Sequence, residues 1–370
     1  MATDLVDEDA KLPIAPPPGF IDHVFASCSG TELSLRIWPA DPPVSSPAPF
    51  LIWTHGGGWL GGHHFAIGPS WITPGFRQRG YHVISHNYRL GPQARLDDML
   101  ADSLECVARC RSHLPVILGA DKVDVNRYVI CGDSAGGHLA SLIPLHLPSP
   151  RPRAVIDIYG LTDFVSVQQL DLSDKPLPAP WAGEFSEHEL ESFLWDRNPA
   201  NVIVDTMSWN EQELISDVAL SKRWAAEPDF RYTRRIRLQA ELHIWRSLRR
   251  SVDGLIKAVM QPETFADEGQ LGAFVSAMSP LAALHERKSK DPAYSYPPTA
   301  FLHGTADEDV PVQQSYVMAA ALKTMGVSVL ESYEEGAPHV FDQKYTGPDV
   351  PGWETYIQPI LNFVDDCVAQ

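Results

Sequence analysis

The sequence predicts an α/β fold in which helices cover both faces of a mostly parallel sheet and one helical subdomain is inserted. Short, continuous apolar runs recur along the chain, as expected for strands that are buried on both faces. Helical patterns separate these runs, the clearest at residues 96–114, and regular alternation of strand and helix is typical of a parallel sheet. The alternation fails once, between residues 161 and 297.

The chain opens with two segments that alternate polar and apolar residues between Phe20 and Pro39. Ser29-Gly30-Thr31 interrupts them as a hairpin turn does, so we expect an antiparallel pair of strands. A continuous apolar run follows at residues 50–53 and ends in the glycine loop Gly56-Gly57-Gly58. Similar runs predict further strands at residues 81–85, 127–131, 154–158, 299–302 and 327–332.

The insert at residues 161–297 is much longer than a crossover connection needs, and a structureless loop of that length is uncommon. Over residues 238–259 its apolar positions keep a helical period. We therefore predict a helical lid over 161–297 and a core formed by 1–160 and 298–370. The lid holds five of the ten tryptophans, namely Trp181, Trp195, Trp209, Trp224 and Trp245.

Charge and composition exclude several classes of protein. The chain has 29 Lys and Arg against 47 Asp and Glu, and its net charge of −18 opposes a nucleic-acid partner. It has no apolar run of about eighteen residues, so no membrane span is predicted. Residues 1–11 are acidic, unlike a secretory signal, and five widely spaced cysteines do not make a disulfide framework. We expect a cytoplasmic protein with reduced cysteines.

The segment Gly132-Asp133-Ser134-Ala135-Gly136 lies between an apolar strand and a helical stretch. In that context, the pattern G-x-S-x-G indicates a sharp turn that exposes a nucleophilic serine. The helix that begins there also points its positive N-terminal end at developing negative charge. An ordinary glycine-rich turn is the alternative. Ser134 is the candidate nucleophile.

His55-Gly56-Gly57-Gly58-Trp59 follows the first buried strand. A tetrahedral oxyanion needs two or three converging N–H donors, and consecutive glycines let the backbone turn its amides inward. We assign the donors to Gly57 and Gly58, with Ala135 from the serine turn. The alternative is a merely flexible loop.

A general base and the acid that orients it are expected late in the chain. His339 follows the last predicted strand, and Asp307 follows the strand before it, with Asp309 and Glu308 as alternatives for the acid. The order Ser134, Asp307, His339 is that of α/β-hydrolases and differs from the order in chymotrypsin or subtilisin.

Four motifs, HGGGW, GDSAGG, GTADEDVP and GAPHVF, stand in this order at residues 55–59, 132–137, 304–311 and 336–341. Together they resemble the α/β-hydrolase superfamily, and the first two resemble the esterases related to hormone-sensitive lipase. The resemblance implies an eight-stranded sheet, a Ser-His-Asp triad, no cofactor and carboxylic ester substrates.

The sequence departs from that group in two motifs. Residues 87–92 read NYRLGP where the group usually has DYRLAP. The loop from Asp307 to Pro311 is closer to relatives of dienelactone hydrolase and prolyl oligopeptidase.

The candidate substrate contacts are mostly aromatic, which suggests a roomy apolar pocket. For each aromatic residue, packing inside the lid is the alternative to substrate contact. His63-His64 has the residue type of a metal pair but no carboxylate close to it in the sequence, so no metal site is predicted. The proposed contacts are Trp59, Phe65, Asp133, Trp181, Trp195 and Trp209.

A basic cluster stands out in this acidic chain. It is either a solvated helix face or a dock for an anionic partner, such as an acidic acyl carrier protein that presents a thioester. The cluster comprises Arg231, Arg234, Arg235, Arg237, Arg246, Arg249 and Arg250.

The sequence thus predicts a serine hydrolase that acts on esters or thioesters of a fairly large apolar small molecule through an acyl-enzyme. The first alternative is an acyl-transfer, lactonising or cyclising enzyme of specialised, polyketide-like metabolism with the same triad. An amidase, formamidase or peptidase and a catalytically silent binding protein are further alternatives. No feature of the sequence indicates an oligomeric state.

Overall fold

An eight-stranded mixed sheet organises the protein in the computed structural model, which describes residues 19–28, 30–64, 71–164, 186–205 and 258–370. The strands include the predicted hairpin, and a strand covers all or most of each of the six predicted apolar runs. They are β1 (Ile21–Cys28), β2 (Thr31–Trp38), β3 (Ala48–Thr54), β4 (His82–His86), β5 (Val123–Asp133), β6 (Ala154–Ile158), β7 (Thr299–Gly304) and β8 (Val329–Glu334).

The spatial order of the strands is β1-β2-β4-β3-β5-β6-β7-β8. The pairs β1–β2 and β2–β4 are antiparallel, and every other neighbouring pair is parallel. Every residue of β4, β6 and β7 is buried, which explains why these strands are mostly apolar on both faces. The carboxyl ends of β3, β5, β7 and β8 therefore lie along one edge of the sheet.

The helices cover both faces of this sheet, as the sequence predicted. Neighbouring residues of β3 point to opposite faces, so that Ile52 belongs to one hydrophobic core and Leu51 to the other. The described helices are α1 (Ile72–Arg77), α2 (Leu96–Leu118), α3 (Ala135–His146), α4 (Glu187–Leu194), α5 (Glu268–Met278), α6 (Pro280–Lys290), α7 (Gln313–Thr324) and α8 (Gln358–Ala369).

The two cores have different helices. Leu139 of α3 and Met318 of α7 pack in the core that contains Ile52. Phe76 of α1 and Val364 of α8 pack in the core that contains Leu51. This two-faced arrangement confirms the predicted fold class.

Helices α4, α5 and α6 belong to the chain between β6 and β7, which are neighbours in the sheet. Leu284 of α6 and Met278 of α5 are buried in the same core as α3. Of the helix predicted over 238–259, only residues 258 and 259 are described, and both are helical. The division into a core and a lid stays a prediction.

In the described ranges, no helix is long and apolar enough to cross a membrane. All five cysteines lie in these ranges, and each carries a free thiol.

Candidate active site

Ser134 stands in a tight turn between β5 and α3. Its φ of 53° and ψ of −119° place a non-glycine residue in a sparsely populated backbone region. The Ser134 N–H donates to the carbonyl of Ile158, which anchors the turn to β6. A Cβ at Gly132 would overlap the carbonyl of Gly136, so this turn needs glycine there.

His339 lies on the loop after β8, and its side chain lies between two other polar groups. Its Nε2 is 3.2 Å from Oγ of Ser134, and its Nδ1 is 2.7 Å from Oδ2 of Asp307. The structure thus brings together the three residues proposed from the sequence, although 205 residues separate Ser134 from His339. The acid that contacts His339 is therefore Asp307, and its other oxygen, Oδ1, accepts a hydrogen bond from the backbone N–H of Asp309.

The pKa shifts of Asp307 and His339 suit a histidine base that is oriented by an ionised carboxylate. Burial alone would raise the pKa of Asp307, but hydrogen bonds from His303 and His339 hold it well below its usual range. Burial alone would lower the pKa of His339, but the hydrogen bond and charge of Asp307 raise it. A neutral His339 can therefore accept the Ser134 proton, and the resulting imidazolium is stabilised by Asp307.

A second histidine lies against the same carboxylate oxygen of Asp307, and sequence reasoning missed it. His303 is fully buried, with Nε2 3.2 Å from Oδ2 of Asp307 and 2.8 Å from the carbonyl of Val310. Its Nδ1 is 2.7 Å from Oγ of Ser315. A histidine at the end of the strand before the acid loop was a signal for this role.

The His339 ring also lies against the ring of Tyr159, which follows β6. The two ring centroids are 4.6 Å apart. The Tyr159 hydroxyl donates to Oδ1 of Asp342 over 2.8 Å, and the indole N–H of Trp71 donates to Oδ2 over 2.9 Å. Sequence reasoning missed this group too, although Asp342 stands three residues after His339.

The glycine loop passes against the serine turn. A Cβ at Gly56 would lie 3.1 Å from the Cβ of Ser134, so glycine permits this close approach. The carbonyl of Gly57 accepts hydrogen bonds from the amides of Leu60 and Gly61, which closes a compact turn. Ala135 is the first residue of α3, and an amide in the first helical turn has no acceptor within its own helix. The assignment of Gly57, Gly58 and Ala135 as oxyanion donors stays a prediction.

The carboxylate of Asp133, a predicted substrate contact, is hydrogen-bonded to another side chain of the protein. Its Oδ1 accepts a hydrogen bond of 2.8 Å from the indole N–H of Trp53. Removal of the carboxylate from water and the negative charge of Asp342 raise the pKa of Asp133 to about 7. The side chain links β3 to the serine turn, and contact with substrate stays a prediction.

The aromatic candidates are in different environments. Trp59 is buried and donates its indole N–H to Nδ1 of His138. Trp195 is 47% exposed, and the guanidinium of Arg197 lies 5.4 Å from its ring centroid. Phe65, Trp181 and Trp209 lie outside the described residues, as does the basic cluster from Arg231 to Arg250.

The structure supplies a carboxylate beside His63-His64 that the sequence did not indicate. Asp205 accepts from the backbone N–H of His64, and its Oδ1 lies 2.9 Å from Nδ1 of the same histidine. The side-chain amide N–H of Asn87 donates a hydrogen bond to Oδ2 of Asp205. An aspartate at position 87 could not form this bond, because an ionised carboxylate has no N–H to donate. Within the described ranges, no three His, Cys, Asp or Glu residues are grouped to hold a metal ion.

The sheet order, the helices on both faces and the position of Ser134 after β5 are those of the α/β-hydrolase fold, and this protein has that fold. A family model described as "alpha/beta hydrolase fold" matches residues 51–208, which include the glycine loop and Ser134. A model of the prolyl oligopeptidase family matches residues 259–366, which include Asp307 and His339. The second match agrees with the resemblance of the Asp307 loop to that family.

Two curated relatives are fungal synthases. The non-reducing polyketide synthase Preu6 of Preussia isomera is 27% identical over 343 residues, which are 91% of this chain and 14% of the synthase. The non-reducing polyketide synthase stbA of Stachybotrys bisbyi is 25% identical over 348 residues, 92% of this chain and 14% of the synthase. The chain thus spans 14% of the length of each relative.

Solved esterase structures share the fold. An arylesterase superposes with a TM-score of 0.57 at 16% identity and covers 97% of this chain and 89% of its own. Esterase 2 of Thermogutta terrifontis, phosphoramylated by tabun, gives a TM-score of 0.54 at 19% identity, with 95% and 94% covered. Esterase B of Lactobacillus rhamnosis gives 0.55 at 14% identity, with 95% and 88% covered. At these identities the likeness concerns the fold alone.

Proposed function

We propose that this protein is a serine acyl-transfer enzyme that releases a polyketide-type acyl chain from a carrier-bound thioester, to water or by ring closure. The hydrogen-bonded series Ser134, His339 and Asp307 carries the proposal, because it is the arrangement that an acylatable serine needs. Similarity to polyketide synthases over 91% of the chain supports the substrate class. A polyketide chain grows as a thioester, which such a serine is suited to cleave.

In the first half-reaction, Oγ of Ser134 attacks the thioester carbonyl while Nε2 of His339 takes the hydroxyl proton. The carbonyl oxygen becomes an oxyanion, for which we propose the amides of Gly57, Gly58 and Ala135 as donors. The carbon–sulfur bond then breaks, and His339 gives its proton to the departing thiolate. The products are a free carrier thiol and an ester of Ser134.

In the second half-reaction, a new nucleophile attacks the Ser134 ester, and His339 accepts that nucleophile's proton. Water gives a free acid, a hydroxyl of the same chain gives a lactone, and an activated carbon of the same chain gives a carbocycle. The carbon–oxygen bond to Ser134 breaks, and His339 returns a proton to Oγ. Whether water can reach the ester of Ser134 decides among these products.

We propose an acyl carrier protein as the partner that delivers the thioester, and a cytoplasmic location. The net charge of −18 repels an acidic carrier in general, so a local basic dock is required. The cluster from Arg231 to Arg250 has the required sign. Charge reversal of Arg246, Arg249 and Arg250 together is expected to raise KM for a carrier-bound substrate and to spare a small ester.

Hydrolysis of simple carboxylic esters is the second candidate function. It is supported by the shared fold with solved esterases and by the motifs HGGGW and GDSAGG. The same triad serves both candidates, so the leaving group and the product distinguish them.

The test combines a covalent probe with paired substrates. A fluorophosphonate is added to the protein, and the labelled residue is identified by mass spectrometry. Turnover of an N-acetylcysteamine thioester of an aromatic β-keto acid is then compared with turnover of p-nitrophenyl butyrate. We expect labelling at Ser134, a higher kcat/KM for the thioester, and an acid, lactone or cyclised product.

Ser134→Ala is the inactive variant, and Ser112→Ala, on the exposed face of α2, is the matched control. Faster turnover of the simple ester than of the thioester would favour the second candidate. Absence of both labelling and turnover in the native chain would contradict enzymatic function and favour a binding protein.

A further inference from the structure

His138 lies where the serine helix, the glycine loop and the inserted chain meet. It is fully buried in the first turn of α3, and its backbone N–H donates to the carbonyl of Ser134. Its Nδ1 lies 3.1 Å from the indole Nε1 of Trp59 in the glycine loop. Its Nε2 lies 2.8 Å from the carbonyl of Met278, the last residue of α5.

These two contacts determine which ring nitrogen of His138 carries the proton. A carbonyl oxygen only accepts, so Nε2 must carry a hydrogen and donate it to Met278. An indole N–H only donates, so Nδ1 must be the unprotonated nitrogen that accepts from Trp59. Burial lowers the pKa of His138 to about 4, which keeps the ring neutral near pH 7.

Trp59 needs such support because of its backbone. Gly58 and Trp59 have φ values of 58° and 59°, and a bulky side chain is rarely found in that left-handed region. The Trp59 carbonyl accepts a hydrogen bond of 2.9 Å from the N–H of Gly91. Its indole is held by His138, so Trp59 is fixed at both its backbone and its side chain.

We propose that His138 is a positioning residue that, through Trp59, holds the amides of Gly57 and Gly58 in place beside Ser134. The inference rests on the proposed function, since an oxyanion hole matters only if Ser134 is acylated. Its physical basis is that Trp59 directly follows Gly58, while His138 is one helical turn from Ser134. One buried side chain therefore sets the distance between the proposed donors and the nucleophile.

A packing role would need only the shape of His138, which contacts the rings of Trp59 and Phe164 at centroid distances of 5.4 and 4.9 Å. A positioning role needs an acceptor at the site of Nδ1. His138→Asn provides that acceptor, because its amide oxygen takes the position of Nδ1. His138→Leu fills the site without an acceptor, and Trp59→Phe removes only the donor and the second ring.

The experiment measures two quantities on the full chain. One is the second-order rate constant for labelling of Ser134 by a fluorophosphonate. The other is the inhibition constant of an aryl trifluoromethyl ketone, which forms a tetrahedral oxyanion adduct on the serine. His146→Leu, at the exposed far end of α3, is the matched control.

We expect His138→Leu and Trp59→Phe to slow labelling of Ser134 about ten- to a hundredfold. The inhibition constant of the ketone should rise by a similar factor, because its oxyanion adduct is bound less tightly. The double variant should lose no more than either single variant, and His138→Asn should recover most of the rate. The pH midpoint of labelling should stay unchanged, because His339 and Asp307 are untouched.

Equal losses in His138→Asn and His138→Leu, or native rates in His138→Leu, would refute the positioning role while leaving the proposed function intact. If the native chain is not labelled at all, the proposed function fails and this inference fails with it. Should His138→Leu not fold, Trp59→Phe tests the same contact.

Discussion

Nε2 of His303 lies 3.2 Å from Oδ2 of Asp307, the same oxygen that lies 2.7 Å from Nδ1 of His339. One carboxylate oxygen therefore lies within reach of the ring nitrogens of two histidines, of which His303 is fully buried. Charge-assisted bonds of this kind are stronger than neutral ones, and they keep the acid ionised and fixed in orientation.

Loss of this second histidine is expected to reduce both activity and stability. His303→Leu removes one donor from Asp307 and leaves Ser315 and the Val310 carbonyl without their partner. We expect kcat to fall about tenfold through misalignment of the acid, and the free energy of unfolding to fall by about 1–3 kcal/mol. Ester kinetics and urea denaturation measure the two effects. Ser315→Ala leaves the contact between His303 and Asp307 in place, so its kcat should fall much less. Equal losses of kcat in Ser315→Ala and His303→Leu would contradict the role of His303.

The pH dependence of acylation follows from the pKa of His339. His339 must be neutral to accept the Ser134 proton, so the labelling rate should rise with pH through a midpoint above the usual histidine value of about 6.5. Asp307→Asn removes the charge that raises this pKa, while the burial that lowers it stays. The midpoint should therefore move to lower pH, and the maximal rate should fall by about 10⁴-fold because the imidazole tautomer is no longer set. An upward shift of the midpoint would be incompatible with this account.

The hydroxyl of Tyr159 is expected to stabilise the folded protein through Asp342. Tyr159→Phe keeps the ring against His339 but deprives Oδ1 of Asp342 of its donor. Because Asp342 is fully buried, the free energy of unfolding should fall by about 1–3 kcal/mol. Tyr316→Phe, on the exposed side of α7, is the control and should change little. Chemical denaturation measures the free energy of unfolding of both variants. Equal stability of Tyr159→Phe and Tyr316→Phe would contradict a stabilising hydrogen bond between Tyr159 and Asp342.

Two glycines should respond in opposite directions to the same substitution. A Cβ at Gly136 would overlap the backbone carbonyl of Thr54, which is fixed in β3. The free energy of unfolding of Gly136→Ala should therefore fall by more than about 3 kcal/mol, or the variant should fail to fold. Gly272 lies in α5 with no atom within 4 Å of an added Cβ. Gly272→Ala should therefore raise the free energy of unfolding by about 0.5–1 kcal/mol. Thermal and urea unfolding test both, and a tolerated Gly136→Ala would contradict the tight serine turn.

The strands and the fold class could be predicted because their signals are local. The run at residues 50–53 became part of β3, and the run at 154–158 became β6 with the same bounds. A strand that is buried on both faces is apolar at most successive positions, and that pattern is visible in the sequence. The sequence predicts a helix at residues 96–114, whereas α2 continues past Pro115 to Leu118.

The candidate triad could also be proposed from local motifs, whereas several long-range pairs of side chains could not. Trp71 and Asp342 are 271 residues apart in the chain, His64 and Asp205 are 141 apart, and His138 and Met278 are 140 apart. Each of these side chains is ordinary in its own sequence context. Only the packing of distant elements makes them partners.

By itself, the sequence determined the alternation of buried strands and helices, the glycines of two tight turns, and the order of serine, acid and histidine along the chain. Those features depend on backbone sterics and on hydrophobic periodicity, which act over a few residues. The tertiary structure alone decided that His303 shares Asp307 with His339, that Asp342 binds the hydroxyl of Tyr159 beside His339, and that His138 joins Trp59 to the serine helix. These contacts depend on which donors and acceptors come together when the chain folds. A polar group that is removed from water needs a hydrogen-bond partner, and that partner can come from a distant part of the chain.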